Sequence, residues 1–210
     1  MSSTADSVLT INGGSSSIKF ALYQTGPPMQ RSLTGIVDHI GSSGTHLTYS
    51  DASRDPQESH NIDAAGHALV VDFLLDWLER QVGFKHVSGV GHRVGHGMKH
   101  SQPERVSQAL LDELHRIRSY DPDHLPREIE LIEAFRRRYP NLPQVACFDT
   151  AFHHSLPRVA RLLPIPRRFD AAEIQRYGFH GLSYAYLMQE LAQLAGTQAG
   201  PGPGDPAAPG

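Results

Sequence analysis

The sequence predicts an α/β fold, and three observations carry that expectation. Short apolar runs bounded by glycine and serine crowd the first fifty residues. From residue 63 onward, stretches with helical periodicity alternate with brief apolar runs. Strands come first and then alternate with helices, and no segment repeats, which indicates an α/β fold.

Residues 8–12 form an apolar run ending at Gly13-Gly14, and residues 18–23 form a second after a serine-rich turn. Together they read as a hairpin with a polar tip. Residues 33–40 and 46–50 supply two further strands, separated by the glycines of 41–44, and 51–61 are polar and loop-like. Residues 63–82 predict a helix with Leu69, Phe73, Trp77 and Leu78 on one face and Gly83 as its C-cap. A buried strand follows at 87–94 and runs into a glycine-rich loop. Amphipathic helices are expected at 103–119, with Glu104 in the opening turn, and at 126–139, with Pro126 at N1 and Arg136, Arg137 and Arg138 facing the negative end of the dipole. Residues 144–148 are a continuous apolar strand ending at Asp149-Thr150, and 181–195 are the last helix.

Composition narrows the classes of function. The chain has 210 residues, 39% hydrophobic, a formal net charge of -3 and one cysteine, Cys147. A lone cysteine excludes an internal disulfide and fits a reducing compartment. No window approaches the ~18–20 apolar residues of a membrane span, and the polar start lacks a signal-peptide pattern, so no membrane partner and a cytoplasmic location are expected. Near-neutral charge without a basic-aromatic stripe argues against nucleic acid. The end of the chain departs from the rest: residues 196–210 contain five glycines and four prolines.

Four segments could carry chemistry. Asn12-Gly-Gly-Ser15-Ser16-Ser17-Ile-Lys19 combines glycines that admit a ligand to the backbone with hydroxyls and an ammonium suited to phosphate oxygens. On this segment alone an ordinary hairpin turn, for which Gly-Gly and Ser are common, is the simpler reading. Gly89-Val-Gly-His92-Arg93-Val94-Gly95-His96-Gly97 has two histidines at metal-pair spacing, but four glycines in nine residues oppose the helix that pair needs. A strand end presenting Arg93, whose planar fork takes carboxylate or phosphate, fits better. In Cys147-Phe148-Asp149-Thr150-Ala-Phe152-His153-His154 a carboxylate lies just past a buried strand, as a ligand group or as the cap of the next turn. Arg176-Tyr177-Gly178-Phe179-His180-Gly181 surrounds one histidine with aromatics, either a positioned imidazole or a core residue.

Taken together and in this order, the four segments resemble acetate kinase, whose members show N-x-G-S-S-S-x-K, G-H-R-V-x-H-G, F-D-T-A-F-H and Y-G-F-H-G. The resemblance covers residues 7 to about 195, roughly the N-terminal half of a member, and the string from Tyr120 to Pro126 resembles a divergent acetate/propionate kinase branch. It implies an actin-like ATPase (ribonuclease H-like) fold, with residues 1–149 as the first domain and 150–195 as the start of the second. It implies reversible transfer of the ATP γ-phosphoryl group to acetate or another short-chain acid, with Mg²⁺ and a homodimeric intact enzyme. By motif, Asn12 would lie at the metal, and Ser15, Ser17 and Lys19 at the nucleotide phosphates. Arg93 would hold the carboxylate in a pocket with Gly95 and Phe179, Asp149 would be catalytic, and His180 would stabilise the transition state.

Three departures qualify the resemblance. Gly95 stands where the family has a valine lining the methyl pocket, which predicts a wider pocket. Tyr120 stands where a second active-site histidine is expected. Members also continue into a strand and an H-L-G-N-G nucleotide loop. Back-translated with third bases chosen to fit, residues 203–210 read one base along as R-V-I-L-R-H-L-G. Residues 196–210 are therefore expected to be a non-native tail, read in a frame altered near 198–202. The 210-residue chain is expected to be inactive alone; a non-catalytic fragment or a carboxylate- or phosphate-binding module is the alternative.

Overall fold

The computed structural model describes residues 6–52, 57–63, 66–171 and 174–195. The expected tail at 196–210 lies outside the described residues. The chain forms two compact units. Of the described residues, one takes those up to Val94 and again from Pro103 to Cys147; the other takes Gly95–Gln102 and those from Phe148 to Ala195.

The first unit is built on a mixed eight-stranded sheet in the order β5-β4-β3-β2-β1-β6-β8-β7. Strands β1 (Ser7–Gly13), β2 (Ile18–Gln24), β3 (Gln30–Asp38), β4 (His46–Asp51) and β5 (Glu58–Asn61) form an antiparallel meander. Strand β6 (Val87–Val94) then lies parallel to β1 on its other side. That parallel pairing needs a crossover, supplied by helix α1 (His67–Glu79). Strand β8 (Gln144–Phe148) adds beside β6, with the short β7 (Glu104–Arg105) antiparallel to it.

Alternation along the strands selects the core. Leu9 and Ile11 of β1, Ile18, Phe20 and Leu22 of β2, and Val90 of β6 are buried with Val70, Val71, Leu74, Leu75 and Leu78 of α1. Leu131, Ala134 and Phe135 join them from helix α3 (Leu125–Arg138). Phe20 is paired across the sheet with Gly35, and its ring lies 5.5 Å from that of Trp77. A glycine opposite a large ring leaves the space that ring occupies. Arg138, in the last turn of α3, reaches back to Asp76 (2.6 Å) and Glu79 (2.9 Å) of α1.

The α/β expectation holds, and four details of it do not. The polar stretch 51–61 contains β5, an edge strand whose residues are nearly all exposed and therefore lack hydrophobic alternation. Leu69 is 56% exposed, because α1 meets the sheet along Val70, Val71, Leu74, Leu75 and Leu78, a stripe rotated from the expected one. Gly83 is not the cap of α1, which closes at Arg80; it lies in a 3-10 turn where an added Cβ would sit 2.6 Å from Leu22 Cδ2. Residues 103–119 are not one helix. Glu104 is strand, and helix α2 (Gln108–Ile117) begins where the Ser107 hydroxyl accepts from the Leu110 N–H at 3.1 Å. Pro126 is the second residue of α3, still in the turn that tolerates it.

The second unit is mostly helical: a 3-10 turn at Asp149–Ala151, the short helices α4 (Arg158–Arg161) and α5 (Arg167–Ala171), and α6 (Gly181–Leu194). Among the described residues, no helix is long and apolar enough to cross a membrane.

Candidate functional site

In the first unit, three candidate side chains fall into one row. Asn12, near the end of β1, is register partner both of Lys19 on β2 and of Arg93 on β6. Paired residues in adjacent strands share a face, so an ammonium, an amide and a guanidinium stand side by side across three strands roughly 4.8 Å apart. Their sheet neighbours Ile11, Ile18 and His92 are buried, which places the row on the opposite face. The hairpin tip beside it is closed by Gly14 N–H donating to Ser17 O at 2.7 Å and tied to the end of β3 by Ile40 N–H donating to Ser16 O at 2.9 Å. Ser15 is exposed and Ser17 half-buried there. Gly13 packs on α3, where an added Cβ would come within 3.2 Å of Leu131 Cδ2.

Arg93 is held by a residue that the motif reading missed. Its Nη1 donates to Glu128 Oε1 at 3.1 Å, and Glu128 is 2% exposed in the first turn of α3. The helix N-terminus favours that carboxylate, and its burial makes the pairing obligatory. A sequence signal existed: Glu128 lies three residues after Leu125 and four before Ile132, both buried, so a charge sits on the apolar stripe of the helix.

His92 and His96 have separate surroundings. His92, on β6, is buried against Phe135 (ring centroids 5.4 Å), and its Nε2 lies 2.8 Å from the Gln144 side-chain amide. Burial pushes its pKa down to about 4, so the ring is neutral. His96, past the end of β6 and in the second unit, is buried beside Tyr177 (4.7 Å) and Phe179 (5.7 Å). Its Nδ1 accepts from Met98 N–H at 3.2 Å. The histidine packed by aromatics is thus His96, whereas His180 is exposed at the start of α6 with no side-chain capping bond.

The second unit brings three of the four motifs together. Gly97 N–H donates to Thr150 Oγ1 at 3.0 Å, and an added Cβ on Gly97 would lie 2.8 Å from Phe148 Cβ. The same addition on Gly178 would meet His153 Nε2 at 3.0 Å, and on Gly181 would meet Phe152 Cε1 at 2.6 Å. The two glycines flanking Phe179-His180 are therefore where the rings of Phe152 and His153 dock. Asp149 is buried and opens the 3-10 turn as its first residue, not as its cap. Gly95 is buried and Phe179 is 40% exposed. Among the described residues, no group of three or more His, Cys, Asp or Glu side chains could hold a metal ion.

Comparison with known proteins agrees with these motifs. A family model described as the acetokinase family matches residues 7–200. An acetate kinase of Rhodopseudomonas palustris (strain ATCC BAA-98 / CGA009) is 36% identical over 202 residues, covering 94% of this chain and 51% of its own length. One from Ectopseudomonas mendocina (strain ymp) is 38% identical over 198 residues, covering 93% and 49%. Among solved structures, a propionate kinase from Francisella tularensis aligns with a TM-score of 0.78 at 29% identity over 92% of this chain and 50% of its own. The acetate kinase of Porphyromonas gingivalis aligns with a TM-score of 0.76 at 25% identity, with the same coverage. The described elements therefore have the fold of acetate and propionate kinases, and the chain spans about half the length of the curated relatives it matches. On the matched family model, the identities and the shared fold, the chain belongs to the acetokinase family.

Proposed function

We propose that this chain carries the carboxylate-binding part of a kinase that moves the ATP γ-phosphoryl group to acetate or another short-chain acid. The observation that carries the reading is the Lys19–Asn12–Arg93 row, with Arg93 fixed by buried Glu128. In the reaction a carboxylate oxygen forms a bond to the γ-phosphorus as the bond to the β,γ-bridging oxygen breaks, and ADP leaves. An acid with a pKa near ~4 is already ionised at neutral pH, so the attack needs no general base. The protein's task is positioning and charge neutralisation.

Arg93 clamps the carboxylate, and Ser15, Ser17 and Lys19 bind nucleotide phosphates. Asp149 orients rather than accepts a proton, and His180 donates to the developing charge on the equatorial oxygens. The exposed Asn12 side chain at the end of β1 would offer its amide oxygen as a hard ligand to Mg²⁺, which would neutralise phosphate charge when bound. Residues 1–149 are assigned to the first domain, 150–195 to the start of the second, and a homodimer to the intact enzyme.

The 210-residue chain alone is expected to give no ATP-dependent acyl hydroxamate. Residues 1–195 joined in frame to the C-terminal half of the Rhodopseudomonas palustris relative are expected to give it, and Arg93→Ala to remove it. Hydroxamate formed equally well by the Arg93→Ala chimera would overturn the assignment. In the same chimera Gly95→Val is expected to raise the KM for propionate by about 10-fold or more while sparing acetate, since one methylene in an apolar pocket is worth ~1–3 kcal/mol.

A further inference from the structure

A cavity of about 440 Å³ lies within the second unit, walled by the 98–101 loop, the turn at 150–154, Arg161 of α4, Asp170 of α5 and the 175–178 segment. Its lining is cationic. Lys99, Arg161 and Arg176 are joined there by His100, His153 and His154. Among the described residues the one acidic lining group is Asp170, which is ion-paired with Arg158. None of Asn12, Ser15, Ser17, Lys19, Arg93, Asp149 or His180 lines it.

Two observations point to an occupant. Arg176 N–H donates to Arg161 O at 2.8 Å, which ties the end of α4 to the segment before Tyr177 and sets two guanidinium-bearing residues in one wall. The Nε of Arg161 is buried and has no hydrogen-bond partner among the described residues. A buried guanidinium N–H without an acceptor is costly, and a small shift of the Arg161 side chain toward the cavity would let its planar fork take an oxyanion bidentately. The Thr150 and Ser101 hydroxyls lie in the same lining as further donors. The volume is many times the ~30 Å³ share of one water, so a phosphate group fits together with a small organic moiety or ordered water.

We propose that this cavity binds a phosphate dianion anchored by Arg161 and Arg176, separately from the nucleotide phosphates assigned to Ser15, Ser17 and Lys19. The source is either free inorganic phosphate or the phosphoryl end of a small organic phosphate. The test is a titration of the 210-residue chain with inorganic phosphate and, in a second arm, phenyl phosphate, following arginine Nε–H resonances by NMR. The Arg161 Nε–H resonance is expected to shift saturably. Arg161→Gln and Arg176→Gln are each expected to weaken binding roughly tenfold or more, with Lys85→Gln, in the first unit and outside both sites, without effect. Equal binding in both arms identifies the free anion as sufficient; tighter binding of phenyl phosphate identifies an organic phosphate. A resonance unmoved through the millimolar range in both arms, or shifts confined to residues 12–19, would overturn the proposal. The wild-type titration decides this even if a substituted chain does not fold.

Discussion

Arg93 and Glu128 differ sharply in exposure. The carboxylate is almost fully buried while the arginine side chain keeps a third of its surface in water. Removing one partner of a fully buried pair costs ~3–5 kcal/mol, and the solvent left to Arg93 lowers that to about 1–2 kcal/mol. Glu128→Ala is therefore expected to lower unfolding stability by that modest amount, read from urea unfolding, and to weaken carboxylate binding far more, because the guanidinium loses the buried contact that orients it. Calorimetry with acetate beside urea unfolding separates the two effects; a loss of stability with unchanged binding would make Glu128 a purely structural residue. Arg93 was legible from its motif, but its partner was not. Glu128 lies 35 positions away in a helix whose charged residues are mostly solvated, and its burial follows from the close approach of α3 at Gly13.

Helix α3 and strand β6 meet around His92, where Phe135 packs on the ring and Gln144 supplies the polar contact. Its pKa falls from 6.5 to about 4 through burial, so the unfolded chain binds a proton that the folded chain refuses across that range. Stability is thus intact above about pH 6.5 and declines as pH falls toward 4, by about 3 kcal/mol for this group. His67 acts in the same direction: burial lowers its pKa, against the opposing pull of Glu130. A His92→Gln chain is expected to show a shallower stability loss between pH 6.5 and 4, read from unfolding midpoints across that range. Elements with clear apolar patterns were visible from the sequence: β1, β2, β6, β8 and the body of α3. The misread ones share a physical cause. Strand β5 and Glu104–Arg105 owe their conformation to backbone pairing with a neighbour, and such pairing leaves no hydrophobic signature.

Across the whole molecule, the first unit buries its apolar face, whereas α6 does not. Leu182, Tyr184, Leu187, Met188, Leu191 and Leu194 are all at least half exposed. An apolar row of this extent promotes association. Leu187→Glu combined with Leu191→Glu is expected to reduce concentration-dependent self-association in sedimentation and to lower ANS fluorescence; unchanged sedimentation would mean that the row lies outside any contact. The sequence alone determined the α/β class, the positions of the strands with clear apolar runs, and the family, since four short motifs in order are specific without any knowledge of contacts. Only the tertiary structure decided that Asn12 stands between Lys19 and Arg93, that Glu128 holds Arg93, that aromatics pack His96 rather than His180, and that Arg161 and Arg176 share a cavity wall. The reason is that a motif records which chemical groups are present, whereas register, burial and long-range pairing arise when segments distant in sequence compete for the same interior space.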